Sequence, residues 1–222
     1  FLMNRVANAH MNTLMLISGA FGLFRRSTLV EMGGYRHDTV GEDLELVVRM
    51  HRHMRDQKRD YRIDFVPDIV CWTEAPAELD GLDNQRARWQ QGALETLQRH
   101  RGMILNPRYG RIGLLAMPQI VLEDIFGPPA ELLGYLVLPA AALLGLLDPM
   151  MAVAFFFVSV VFGCVLSLGT LALEEQQLRR TPNAKDLLRL GAAAVLENFG
   201  YRQINLWYRM AGIRRYFRND TS

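Results

Sequence analysis

The chain has 222 residues, half of them hydrophobic, with a formal net charge of +2 and two cysteines, enough for one large domain or two small ones. The near-balanced charge, with arginines that form no aromatic-interleaved basic stripe, argues against a nucleic-acid binder. Cys71 and Cys164 lie far apart, and Cys164 sits in an apolar run, which argues against a disulfide framework or a cysteine-rich zinc site. The apolar residues are unevenly spread, since residues 125–173 contain only Glu131 and Asp148 as charged groups. The chain begins at Phe1, without an initiator methionine or a signal-peptide pattern, as a fragment or a processed form would.

Residues 14–24, Leu-Met-Leu-Ile-Ser-Gly-Ala-Phe-Gly-Leu-Phe, read as a short strand entering a tight bend. Ser18, Gly19 and Ala20 are small enough for backbone to approach a ligand closely, and equally suited to a packing-limited turn in a core. After Arg25 and Arg26, Ser27 is a candidate N-cap for a short helix through Met32, which Gly33 and Gly34 end. Leu44, Val47, Val48, His51 and Met54 then recur at helical spacing, so Glu42 and Asp43 sit at a helix start, where the dipole favours carboxylates. The pair is either a well-charged first turn or a rigidly held base that can take a proton from an attacking hydroxyl. The histidines show no zinc spacing, and His51 and His53, two apart, do not share a helical face. Tyr61-Arg62-Ile63-Asp64-Phe65-Val66 alternates as a strand does, and Ile69-Val70-Cys71-Trp72 is a second short apolar run. Thr73-Glu74-Ala75-Pro76 follows as a loop, in which Pro76 biases Ala75 away from helix.

Residues 81–100 form a charged helix carrying Gln85-Arg86-Ala87-Arg88-Trp89. Gln85, Arg88, Trp89 and Gly92 fall on one side, and Arg86 and Gln90 point elsewhere. Such a stripe is either a solvated face with one buried tryptophan or a polar binding face. In the second reading Arg88 meets phosphate or carboxylate, Gln85 hydrogen-bonds and Trp89 stacks on a sugar.

Arg99, Arg101, Arg108 and Arg111 precede the apolar half. Residues 112–122 are half a bilayer long as a helix, either interfacial or the start of one long tilted span. Residues 125–147 and 150–173 are long enough to cross, joined by a tight Asp148-Pro149 loop, and pair as a helical hairpin. Glu131, near one end, faces protein or headgroups. Arg179, Arg180, Lys185 and Arg189 follow the second span, so both flanks are expected in the cytoplasm. Residues 187–210 hold Glu197, Arg202 and Asn205 in an apolar stretch and lead to a basic tail. They read as an interfacial or re-entrant helix broken near Gly200, with a third crossing as the alternative.

The order of these features resembles the acceptor half of the membrane-embedded family 2 glycosyltransferases, the synthases of cellulose, hyaluronan, chitin and poly-N-acetylglucosamine. The resemblance rests on Ser18-Gly19-Ala20-Phe21, Phe24-Arg25-Arg26, Gly33-Gly34-Tyr35, Gly41-Glu42-Asp43, Thr73-Glu74, residues 85–89 and Asn106-Pro107-Arg108-Tyr109-Gly110. It implies an α/β fold class: residues 1–105 as the C-terminal half of a GT-A catalytic domain and 106–124 as an interfacial helix. Residues 125–173 follow as the transmembrane hairpin, and 174–222 as a cytoplasmic linker with an interfacial, re-entrant or third membrane helix and basic tail.

The resemblance further implies an inverting transfer of sugar from a nucleotide-diphosphate sugar, expected to be UDP-linked, to a glycan or lipid hydroxyl. The catalytic face would be the cytoplasmic side of a bacterial inner membrane, with lipids as partners and room for an accessory subunit. Asp43, beside Glu42, is implied as general base. Gln85, Arg86, Arg88 and Trp89 would contact the donor diphosphate and acceptor sugar, and Ser18 and Gly19 would line the acceptor side. Two departures stand out. Gly41 replaces the threonine of the common Thr-Glu-Asp form, and no Asp-x-Asp pair or glycine-rich phosphate cradle occurs in the chain. The Mg²⁺ or Mn²⁺ of the complete enzyme is expected on the nucleotide-binding half that precedes these motifs in the family. This polypeptide alone is therefore expected to lack transferase activity. The alternative is a membrane-anchored sugar- or partner-binding module without catalysis.

Overall fold

The computed structural model describes residues 2–17, 19–68, 71–74, 76–178 and 183–218. Ser18, Ile69, Val70, Arg179 and Arg180, which carried expectations above, lie outside these. The chain divides into two compact units: residues 1–127 with 208–222, and residues 128–207.

The first unit contains α1 (Leu2–His10), α2 (Arg26–Glu31), α3 (Glu42–Asp56) and α4 (Leu79–Arg99). Short 3₁₀ turns follow at Arg101–Met103 and Pro107–Tyr109, and α5 (Met117–Ile120) lies between π-turns at Ile112–Ala116 and Val121–Phe126. Helix α1 was not anticipated. Helix α2 starts at Arg26 with Arg25 as its N-cap, so Ser27 does not cap it. The core gathers Met15, Leu44, Val48, Ala93, Leu97, Met103, Tyr109, Ile112, Ala116 and Met117, which sets α3 and α4 side by side against the turns that follow α4. Within that contact Glu45 is fully buried. Its carboxylate accepts from Arg49 Nε at 3.0 Å and faces His100 Nε2 at 3.3 Å. Burial pushes this carboxyl up, but the His100 hydrogen bond and the charge and hydrogen bond of Arg49 outweigh it and hold it below the usual range. Arg49 also donates to the carbonyls of Met32 and Gly34, tying the end of α2 to α3.

The expected α/β class is overturned, because among the described residues the chain is helical and has no strand or sheet. The reason is visible at residues 61–66. Burial there alternates residue by residue, as the sequence pattern implied, so the period-2 signal was real. A strand, however, needs a second strand to bond its exposed N–H and C=O groups. Here the side chain of Asn12 supplies that pairing, donating to Tyr61 O at 3.0 Å and accepting from Ile63 N at 3.0 Å. Residues 13–17 likewise form no strand. They are tied to α3 by His51, whose Nε2 donates to Leu14 O at 2.8 Å while the Tyr61 hydroxyl donates to Nδ1 at 2.6 Å.

The second unit contains α6 (Gly127–Leu143), which begins one residue earlier, α7 (Pro149–Leu178), α8 (Ala184–Leu196) and the first part of α9 (Arg202–Phe217). Asp148 caps α7 by accepting from the N–H groups of Met150 and Met151. Two helical runs, Ile112–Leu143 and Pro149–Gln176, are long and apolar enough to cross a membrane. On α7, Phe155, Phe156, Phe157 and Phe162 are exposed, while the hydroxyls of Ser159 and Thr170 are satisfied by carbonyls one turn back. The break expected near Gly200 is present. Phe199 leaves the helical region and Gly200 takes φ 93°, a conformation open to glycine. Glu131 and Arg202 pair at 2.6 Å, and Ser167 donates to Glu197 at 2.8 Å.

The buried His51 has a testable consequence. Desolvation pushes its pKa down from 6.5 to about 4, against the opposing hydrogen bond to Leu14. The unfolded chain thus binds more protons than the folded one between those values. Stability is full above about pH 6.5 and falls as pH drops toward about 4, by on the order of 3 kcal/mol. The Glu31 carboxyl, held at about 2 chiefly by hydrogen bonds from Gln57 and Arg59, loses its contribution between 4.5 and about 2, for the most part below this window. Thermal melts across the window should show the decline, and His51→Gln should flatten it. An unchanged slope in the variant would remove His51 as the cause.

Candidate active site

Glu42 and Asp43 occupy the first turn of α3, where unpaired backbone N–H groups favour negative charge. Their surroundings differ, for Glu42 is exposed and Asp43 half-buried. Asp43 Oδ1 accepts from its neighbour's N–H, Leu44 N, at 2.8 Å. Oδ2 lies against Gly19, where a Cβ would come within 3.1 Å of it. The small turn and the acid, well separated in sequence, are therefore in contact. Arg5 of α1 is nearby. Burial lowers its pKa and the charge of Asp43 opposes that shift, while its guanidinium lies 5.7 Å from the Phe65 ring centroid. Ser18, the other predicted residue of the turn, is not described.

The segment leading into α3 is fastened to α4. Thr39 Oγ1 donates to Glu95 Oε2 at 2.7 Å, and Val40 N donates to the same oxygen at 3.1 Å. Gln91 holds the other oxygen of Glu95 at 2.9 Å. Gly41 then meets Gly92 backbone to backbone. A Cβ on Gly41 would lie 2.7 Å from Gly92 Cα, and one on Gly92 would lie 2.7 Å from Gly41 N. Neither position has room for a side chain. This accounts for glycine standing where the resembled motif commonly has threonine: the space of that side chain is filled by the backbone of α4.

Gly92 is one helical turn beyond Trp89, so the stripe of Gln85, Arg88 and Trp89 runs up to the Gly41 contact. Trp89 is 58% exposed, Arg88 is exposed and Gln85 is half-buried. Arg86 was expected to point away from this stripe. Its guanidinium instead lies 4.7 Å from the Trp89 ring centroid, at cation–π distance, so it joins the indole. Two residues passed over in the sequence stand beside these groups, Arg5 near Asp43 and Glu95 beneath the loop that enters α3. Only Glu95 carried a local signal, as an acid one turn beyond Gln91 on the same face. Chemically, the arrangement offers a half-buried carboxylate beside a turn without side-chain bulk, and an exposed indole among guanidiniums on the adjoining helix. Among the described residues no group of three or more His, Cys, Asp or Glu side chains gathers to hold a metal ion, and no step is derived through one.

The family profile described as glycosyl transferase family group 2 matches residues 2–173. The chain belongs to that family. It is similar to the poly-beta-1,6-N-acetyl-D-glucosamine synthase of Staphylococcus aureus (strain COL), with 34% identity over 105 residues, covering 47% of this chain and 24% of the synthase. It is also similar to the synthase of the same name from Staphylococcus epidermidis, with 37% identity over 83 residues, covering 37% of this chain and 19% of that protein. The chain thus aligns with less than a quarter of the length of these curated relatives. No solved structure matches it.

The glycine contact predicts that Gly41→Thr, although it restores the commoner motif, destabilises the first unit by about 1–3 kcal/mol through overpacking against Gly92. Gly92→Ala should act in the same direction. Chemical denaturation of both variants checks this, and wild-type stability in Gly41→Thr would show that the joint is not tight.

Proposed function

We propose that this chain is the acceptor-side part of an inverting glycosyltransferase, which moves a sugar from a nucleotide-diphosphate donor to a hydroxyl of a glycan or lipid. The observation that carries the proposal is the joint of Gly41 with Gly92, which fastens the acid-bearing turn of α3 to the helix carrying residues 85–89. The names of the relatives point to N-acetylglucosamine as the sugar and a β-1,6-linked N-acetylglucosamine chain as the acceptor, and the family resemblance to a UDP-linked donor, as the first pair to test.

In this reading the acceptor sugar stacks on Trp89 and its hydroxyl lies beside Gly19, where the missing side chain leaves room. Asp43 takes the hydroxyl proton as the oxygen attacks the anomeric carbon from the side opposite the diphosphate, so configuration inverts. Arg88 meets the negative charge that grows on the leaving diphosphate, a fixed cation in place before the reaction, and Gln85 orients the sugar by hydrogen bonds. Arg86, stacked on the indole, keeps that ring in place. The divalent cation implied by the family is assigned to residues outside this chain, and none of these steps runs through it.

The same proposal seats the protein in a membrane, with the site on the cytoplasmic face. Support comes from the two long apolar runs and from Arg99, Arg101, Arg108 and Arg111 before them. Residues 208–218 belong to the same unit as α3 and α4, which favours two crossings over three.

The test uses the full-length protein in nanodiscs, assayed with UDP-N-acetylglucosamine and other UDP- and GDP-sugars. Asp43→Asn should lower kcat by about a thousand-fold with little change in KM. Trp89→Ala should weaken acceptor binding by about ten-fold. Unchanged turnover in Asp43→Asn would sink the general-base role.

A further inference from the structure

The C-terminal basic segment reads in sequence as a charged tail. In the first unit it is instead built onto α4. Gly212 of α9 lies against α4 with no room for a side chain. A Cβ there would lie 2.7 Å from Gln90 Cβ and would overlap the carbonyl oxygen of Ala87. One turn earlier on α9, Arg209 Nε donates to Gln90 Oε1 at 2.8 Å. Its Nη2 donates to Asp124 Oδ1 at 2.9 Å and to Glu123 O at 2.6 Å. Gln90 Nε2 closes the ring by donating to Asp124 O. On the other side of the crossing Arg215 Nη2 donates to Asn84 Oδ1 at 3.1 Å, and Tyr216 donates to Gln98 Oε1 at 2.6 Å.

Gln90 is the residue after Trp89, and it is buried. Ala87 lies inside the pentad. The contacts of α9 therefore fall on the back of the segment whose front carries Arg88 and Trp89. A guanidinium is suited to this task because its planar fork holds several acceptors at once in fixed directions, which a lysine does not. Here the fork joins α4 to the helical turn at residues 123–124.

We infer that Arg209 is a positioning residue for the Gln85–Trp89 motif, acting through Gln90 and Asp124, and that residues 208–217 are a structural part of the transfer site. Its kinetic side rests on the glycosyltransferase reading; its structural side does not. α4 is then held between two glycine contacts, Gly92 on Gly41 toward the acid and Gly212 on Ala87 behind the pentad. Removing the Arg209 fork frees the pentad to shift while the acid stays in place, a small misplacement that costs turnover more than ground-state binding.

The test uses full-length protein in nanodiscs labelled with 5-fluorotryptophan, the Trp89 resonance being assigned with Trp89→Phe. In Arg209→Ala that resonance should move, and kcat should fall about ten-fold while donor KM stays within about two-fold. Asp124→Asn should add little further loss in the Arg209→Ala background, as expected for two residues acting as one unit. Arg209→Lys keeps the charge without the fork and should show the same changes at smaller size, which covers the case of an unfolded alanine variant. A Trp89 resonance unmoved in both Arg209 variants would overturn the inference, as would losses that multiply in the double variant. If no chain, wild type included, transfers sugar, the catalytic reading fails, and the resonance alone decides the positioning role.

Discussion

The backbone contact between Gly41 and Gly92 is the constraint on which the first unit depends. A loop entering a helix can ordinarily shift by an ångström at little cost. Here it cannot, because two glycines without Cβ atoms close backbone to backbone and Glu95 holds Thr39 and Val40 beside that contact. Deeper in the same interface Glu45 faces His100, and Leu44 and Val48 share a core with Ala93 and Leu97. The first turn of α3 is thus set by α4 on one side and meets Gly19 through Asp43 on the other. A fixed acid and a fixed aromatic stripe then follow from one joint rather than from two separate devices. One joint thus fixes the position of the acid relative to the stripe.

The second unit solves a different problem. Its helices expose large apolar side chains along much of their length, a surface that water does not favour and lipid does. Within it the polar residues find one another: Glu131 with Arg202, Ser167 with Glu197, and Gln203 with the Tyr135 hydroxyl. In an apolar setting each of these groups would be costly alone. The break at Phe199 and Gly200 sits among them, where freed backbone groups have polar neighbours, as Gly200 N does with Gln203 at 2.7 Å.

Much of this was legible in the sequence, and the failures have physical causes. The period of Leu44, Val47, Val48, His51 and Met54 announced α3 and its buried face, and the pentad's helix was clear from its charge and length. The alternation at residues 61–66 announced which side chains turn inward, but not that Asn12 would take the place of a neighbouring strand, because a ladder depends on a partner that local pattern cannot reveal. Helix α1 was missed because its nine residues are shorter than the stretch over which a helical period is read, and Arg5 was missed with it. Gly41 was visible as a departure from the threonine of the resembled motif. Its reason was not, since Gly92 is brought to it only by the packing of α3 on α4. Arg209 likewise showed its charge but not its partners, Gln90 and Asp124, which lie far from it in sequence.

The central claim is that the acid-bearing turn of α3 is held in one place, with Asp43 against the Gly19 turn. A Cβ on Gly19 would stand 3.9 Å from Asp43 Cβ, within the range that a disulfide spans. The direct measurement is disulfide formation in Gly19→Cys/Asp43→Cys, made with Cys71→Ser and Cys164→Ser and read by mass spectrometry after mild oxidation. The account predicts a cross-link between positions 19 and 43 in nearly every molecule. Free thiols at both positions in folded protein would contradict it.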